Sequence, residues 1–185
     1  MRRAVLRVLC GLAATAAFTL AAVPPMAARA AEGLEYPVKA AFLVNFLKFV
    51  DWPAARWPAA GRPIVLGVLG SDEMLDALAQ VAGHEQVRGH AVEVKRLASA
   101  QGFSGQILYA GGGARSDDVA AAEREGLLVV GESESTAPPG AVIRFFLKER
   151  NVHFEVSLAA ARRAGLSFSS RLLKVARVVD REESR

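Results

Sequence analysis

The stretch Tyr36–Pro53 constrains this chain more than any other, because it reads as a helix with almost no polar side to offer water. The spacing predicts one helix opened at Pro37 and stopped by Pro53. Proline is tolerated in a first helical turn, where its missing N–H would have no intrahelical partner, and Pro53 biases Trp52 away from the α region. Val38, Phe42, Phe46 and Phe49 follow one face, and Ala40, Leu43, Leu47 and Val50 carry the apolar surface around the side. Lys39, Asn45, Lys48 and Asp51 are the polar positions after Pro37, and the two lysines fall on opposite sides of the wheel. Such a helix must be covered on most sides, by its own fold or by a partner. It is too short and too charged to span a bilayer.

What precedes it has the layout of an export signal. Arg2, Arg3 and Arg7 lead an apolar run from Val8 to Val23, and Ala28-Arg29-Ala30 forms an Ala-x-Ala site, so Met1–Ala30 is expected to be a cleaved signal peptide and 31–185 a single α/β domain. That expectation changes the charge balance. The chain holds 23 Lys plus Arg against 19 Asp plus Glu. The signal carries four of those arginines and no acid, which leaves the remainder neutral and removes the case for nucleic acid as a partner. Cys10 is the only cysteine and lies in the signal, so the exported protein is expected to fold without a disulfide and to act without a thiol.

Along 31–185 the pattern alternates. Pro58 and Gly61 mark Ala54–Arg62 as a surface loop, and Ile64–Leu69 is a continuous apolar run, the signature of a strand buried on both faces. Gly70-Ser71-Asp72-Glu73 offers a turn, a cap and first-turn acids to a helix through Met74, Leu75, Leu78 and Val81 that Gly83 stops. Ala91–Leu97 alternates as a half-exposed strand, Gln106–Ala110 and Leu127–Val130 are short buried strands, and Ser116 is placed to cap a helix over Asp117–Glu125. The expected fold is α/β: a layered domain with a mixed, largely parallel central sheet flanked by helices, ending in a C-terminal β-hairpin and helix.

The hairpin joins Ala141–Leu147 to Val152–Leu158 around Lys148-Glu149-Arg150-Asn151. A turn centred there sets Leu147 against Val152, Phe145 against Phe154 and Ile143 against Val156 on one side. On the other side Arg144 meets Glu155 and Phe146 meets His153. Ala159–Ala164 follows as a short helix, and Ser169 or Ser170 opens a last helix running to Val179, with Arg171, Lys174 and Arg177 on one side of it.

Familiar catalytic motifs do not occur: there is no Gly-x-Ser-x-Gly, His-Glu-x-x-His, Walker A loop or dinucleotide fingerprint. His84, His90 and His153 are scattered, which argues against a metal site. Gly111-Gly112-Gly113 precedes a helix, but Asp117 and Asp118 in its first turn would repel an anion. Arg144, His153 and Glu155 form either a small acid/base group or a cross-strand ion pair beside an aromatic contact. Neither an enzyme activity nor a cofactor is expected.

Two long blocks carry a resemblance. Val38-Lys39-Ala40-Ala41-Phe42-Leu43-Val44-Asn45-Phe46-Leu47-Lys48-Phe49-Val50-Asp51-Trp52-Pro53 resembles the opening signature of the YfiR-like periplasmic proteins, and Phe154–Ala161 followed by Ala164–Ala176 resembles their second block. Val65–Gly70 and Leu128–Gly131 fall where that family has strands. The resemblance implies a non-enzymatic, dimer-forming periplasmic repressor that binds the periplasmic sensor region of an inner-membrane diguanylate cyclase. It would thereby lower cyclic-di-GMP output and biofilm formation, and an outer-membrane lipoprotein would sequester it. The family's best-known pattern includes disulfides, so redox control does not transfer to this chain.

The partner or dimer contacts expected from this reading are Phe42, Phe46, Phe49 and Trp52 on the first helix, each also a core candidate. Arg144, His153, Glu155, Arg171, Lys174 and Arg177 are the polar candidates. A small-ligand-binding module is the alternative, its site near Gly70, Gly111–Gly113 and Gly131 at the carboxyl ends of the strands.

Overall fold

The structure, a computed structural model, describes residues 26–132 and 140–179, with side chains from Gly33 onward. The export segment read over Met1–Ala30 lies, up to residue 25, outside the described residues. The first helix, α1 (Met26–Phe49), begins earlier than the sequence predicts and holds Pro37 inside it. A mid-helix proline deletes one bond to the carbonyl four residues back. Here the Glu35–Lys39 ion pair, at i, i+4, straddles the proline and ties the turn together. The helix also ends sooner, at Phe49, because Val50–Asp51 (β1) pairs antiparallel with Ser167–Phe168 (β9) and the Phe49 carbonyl accepts from Ser169 N–H at 2.9 Å.

The main sheet is built from β2 (Ile64–Leu69), β3 (Gln86–Val87), β4 (His90–Leu97), β5 (Ile107–Ala110), β6 (Leu128–Glu132), β7 (Ile143–Lys148), β8 (Asn151–Ser157) and β10 (Arg177–Val179). Their order is β10-β8-β7-β6-β5-β2-β4-β3, parallel throughout except at the β7/β8 and β3/β4 hairpins. The expected α/β fold with a mixed, largely parallel sheet is therefore what the chain adopts. The helices α2 (Asp72–Ala82), α3 (Ser116–Arg124), α4 (Leu158–Arg163) and α5 (Ser170–Val175) complete it.

Two caps follow the sequence: the hydroxyls of Ser71 and Ser169 accept from Met74 and Leu172 N–H and start α2 and α5. A third, Ser157, accepts from Ala160 N–H and starts α4 one residue before the predicted helix. Ser116 does not cap α3, since it already lies inside the first turn and Arg115 holds the cap position. The last helix also stops short of Val179. After Val175 the chain extends and Arg177–Val179 joins β8 as a parallel edge strand, so Arg177 leaves the helix that carries Arg171 and Lys174.

Alternation along the strands divides the core in two. Ile64, Leu66 and Val68 turn to α1 and α2, while Val65 and Leu69 turn to Val119 and Ala122 of α3. The hairpin register is the one the sequence predicts, pair for pair from Ile143↔Val156 to Leu147↔Val152. Phe145 and Phe154 therefore reach α1, where the Phe46 ring lies 6.0 and 5.1 Å from theirs and the Phe42 ring 6.1 and 5.3 Å. Phe46 is 1% exposed, so its surface is taken up by the protein's own core. Truncation there leaves a cavity among three other rings. Phe46→Ala is expected to cost about 3–5 kcal/mol of unfolding free energy, read from the urea midpoint of the isolated protein; a loss below 1 kcal/mol would place Phe46 outside the core.

Candidate partner-binding groove

The far side of the hairpin is polar and open. Helix α3 packs on β6 on this side, but over β8 and β10 the surface is wet: His153 and Arg177 are exposed and Phe146 is half-buried. A hollow of about 360 Å³ lies there, lined among others by Gly140, Arg144, Glu155, Ser157, Arg163 and Arg177. Pleating explains the lining: Arg144 and Glu155 are cross-strand partners, and parallel pairing sets Arg177 beside Glu155.

Glu155 is the pivot of the hollow. It is 8% exposed and sits between two guanidinium groups. Arg177 donates to its Oε2 from Nε at 3.1 Å and again from Nη2, and Arg144 Nη1 lies 3.9 Å from its Oε1. The Arg177 guanidinium also rests 4.4 Å from the centroid of Phe146, whose other neighbour is the His153 ring, stacked at 5.6 Å. At the rim, Arg163 Nε donates to Glu123 of α3. The buried Glu155 thus holds the exposed Arg177, and the half-buried Glu123 holds the exposed Arg163, an arrangement whose chemistry suits contact with an anionic group better than activation of a nucleophile.

The structure brings Arg144, His153, Glu155 and Arg177 together and leaves the other candidates elsewhere. Phe42, Phe46, Phe49 and Trp52 pack against the opposite face of the sheet; Phe42, Phe49 and Trp52 keep part of their surface, and Trp52 lies 5.7 Å from Trp57. Arg171 and Lys174 are exposed on α5. The glycine crevice at the carboxyl ends of β2 and β5 is closed by backbone. Gly111 N–H donates to the Leu69 carbonyl at 2.9 Å, and a Cβ on Gly70 would stand 3.0 Å from the Gly112 carbonyl oxygen. Asp118, read as an obstacle to anions there, instead accepts from Ala100 N–H and the Ser99 hydroxyl, each at 2.8 Å. That backbone bond, opposed by burial, leads the interactions holding its carboxyl below the usual range.

One cluster was not anticipated from the sequence. Lys39 is 1% exposed, and its ammonium donates to Glu35 and, at 2.8 Å, to Glu132 at the end of β6; the Tyr109 hydroxyl donates to the same Glu132 oxygen. The available signal was its place on the helix, one turn before the buried Leu43 and two before Leu47. Burial alone would lower the Lys39 pKa, but the hydrogen bonds and charges of Glu132 and Glu35 outweigh it and hold it above the ordinary value. Burial first, then Glu132, raises Tyr109.

Both folded-state values lie above those of the unfolded chain, so their stabilisation is complete below about pH 10, where free Tyr and Lys begin to titrate, and is lost as pH rises beyond it. The urea midpoint is expected to fall between about pH 10 and 12, and Tyr109→Phe to make that fall shallower. A midpoint that stays level over this range contradicts the assignment.

Comparisons with known proteins agree with the architecture. A family model described as YfiR/HmsC-like matches residues 36–177. No curated protein matches the chain. Among solved structures, a conserved domain protein from Vibrio cholerae O1 biovar El Tor str. N16961 is similar at 12% identity and a TM-score of 0.52, covering 78% of this chain. The chain spans 60% of the length of that protein, and at such identity the likeness speaks for the fold alone.

Proposed function

The chain belongs to the YfiR/HmsC-like family, and on that premise we propose that it is a periplasmic, non-enzymatic regulator that binds and restrains the periplasmic sensor domain of a membrane-bound diguanylate cyclase. The observation that carries this reading is the extent of the family match, which runs from Tyr36 on α1 to Arg177 on β10 and so takes in both faces of the sheet. The Glu155 groove supports it, because fixed arginines beside an aromatic stack are interface chemistry. Export through Met1–Ala30, a homodimer and a second, outer-membrane lipoprotein partner belong to the same proposal. Among the described residues no helix is long and apolar enough to cross a membrane.

Deleting the gene in cells that express the cyclase is expected to raise cyclic-di-GMP and biofilm mass, and re-expression to restore both. An unchanged cyclic-di-GMP level overturns the cyclase as partner. The hollow beside Glu155 also favours a second reading, a small-ligand-binding module, since about 360 Å³ with convergent polar groups is within the range of ligand sites. A metabolite that raises the thermal midpoint of wild-type protein but not of Arg144→Gln would support it.

A further inference from the structure

The groove beside Glu155 does not end at its own hollow. Arg163 forms its rim and also lines a second, shallower depression of about 430 Å³ with Ala120, Glu123 and Arg124. Among the described residues, Arg124, Arg144, Arg163 and Arg177 line the two together with the carboxylates Glu123 and Glu155. Both carboxylates are engaged by arginines, and neither is open to solvent over most of its surface. The side chains of Arg163 and Arg177, by contrast, are 50% and 60% exposed.

The donor count leaves room for a ligand. A guanidinium has five N–H groups in a rigid fork. Arg177 places its Nε and Nη2 on Glu155, and Arg163 places its Nε on Glu123. Phe146 supports the flat face of Arg177, so its orientation is set before anything binds. Such preorganisation lowers the entropy lost when a second carboxylate takes the outward-facing donors.

The shape decides what carries those carboxylates. The first hollow spans β7, β8 and β10, whose axes lie about 4.8 Å apart, and the second continues past Arg163 onto α3. A single small acid fills one hollow, whereas an extended chain advancing about 3.3 Å per residue reaches both. We infer that the groove running from Arg177 past Arg163 to Arg124 seats an acidic, extended segment of a protein partner, with carboxylates meeting the arginines in turn. This rests on the proposal that the protein acts by binding a partner, and adds the chemistry of the segment bound.

The probe is a fluorescent octapeptide of alternating Glu and Gly, with its Gln counterpart as control, titrated into the purified protein and followed by anisotropy. The Glu peptide is expected to bind at least tenfold more tightly than the Gln peptide, and the double variant Arg124→Gln, Arg163→Gln to lose at least tenfold in affinity while keeping the wild-type thermal midpoint. Should the double variant fail to fold, Arg124→Gln alone, on an exposed residue, is expected to lose about threefold in affinity. Equal binding of the two peptides, or wild-type affinity in the folded variants, overturns the inference. So does free succinate that displaces the peptide at equal concentration, which would make the site a seat for small acids.

A parallel pull-down with the cyclase's periplasmic domain separates this from the functional reading. If that domain binds wild type and the arginine variants alike, the partner stands and the groove is wrong. If it binds neither while the Glu peptide still binds wild type, the groove stands and the partner is wrong.

Discussion

The packing of α1 across the β7/β8 hairpin is the contact on which the rest of this structure depends. Phe42 and Phe46 meet Phe145 and Phe154 in a four-ring cluster, and Leu43 and Leu47 continue the same buried surface along the helix, with Val50 of β1 just beyond its end. Aromatic contacts of this kind add to the free energy of area burial, and large core rings dominate what truncation removes. Because the hairpin pairs with β6 on one side and β10 on the other, a helix seated on it fixes the position of half the sheet.

The same helix is held by a second and quite different device. A buried ammonium is costly unless it is paired and hydrogen-bonded. Lys39 meets both conditions through Glu35 and Glu132, and the Tyr109 hydroxyl donates to Glu132 as well. The two carboxylates keep 21% of their side-chain surface, so water shares their charge while none reaches the lysine to any extent. Removing one partner would leave the cation buried and only partly compensated, so the ionic contact ties α1 to the end of β6.

On the other side of the hairpin, alternation puts opposite chemistry within a few ångströms. The strands that give Phe145 and Phe154 to the core give Arg144 and Glu155 to the groove, and a register slip of one residue would exchange the two sets. Core packing thus fixes the groove as well. Glu149 and Arg150 adopt left-handed conformations at the turn without glycine, with φ of 52° and 64°, so the aromatic pairs rather than an easy turn hold this register. The consequence is a binding face whose geometry is inherited from the interior.

Local pattern was enough for much of this. The continuous apolar run of Ile64–Leu69, the alternation around the hairpin, and the caps at Ser71 and Ser169 are all set by neighbours within a few residues, and the structure repeats them. The helix boundaries failed where a distant segment intervened: β9 ended α1 early, and β8 drew Arg177–Val179 out of a helix and into the sheet. Lys39 shows the limit most clearly, since its partner Glu132 lies 93 residues away and no spacing rule connects them. The sequence by itself determined which residues alternate, cap and turn, because those are short-range steric and hydrogen-bonding choices. Only the tertiary structure decided which charges would be buried together and which arginines would share a groove, because that depends on strand order and on which face of the sheet each helix covers.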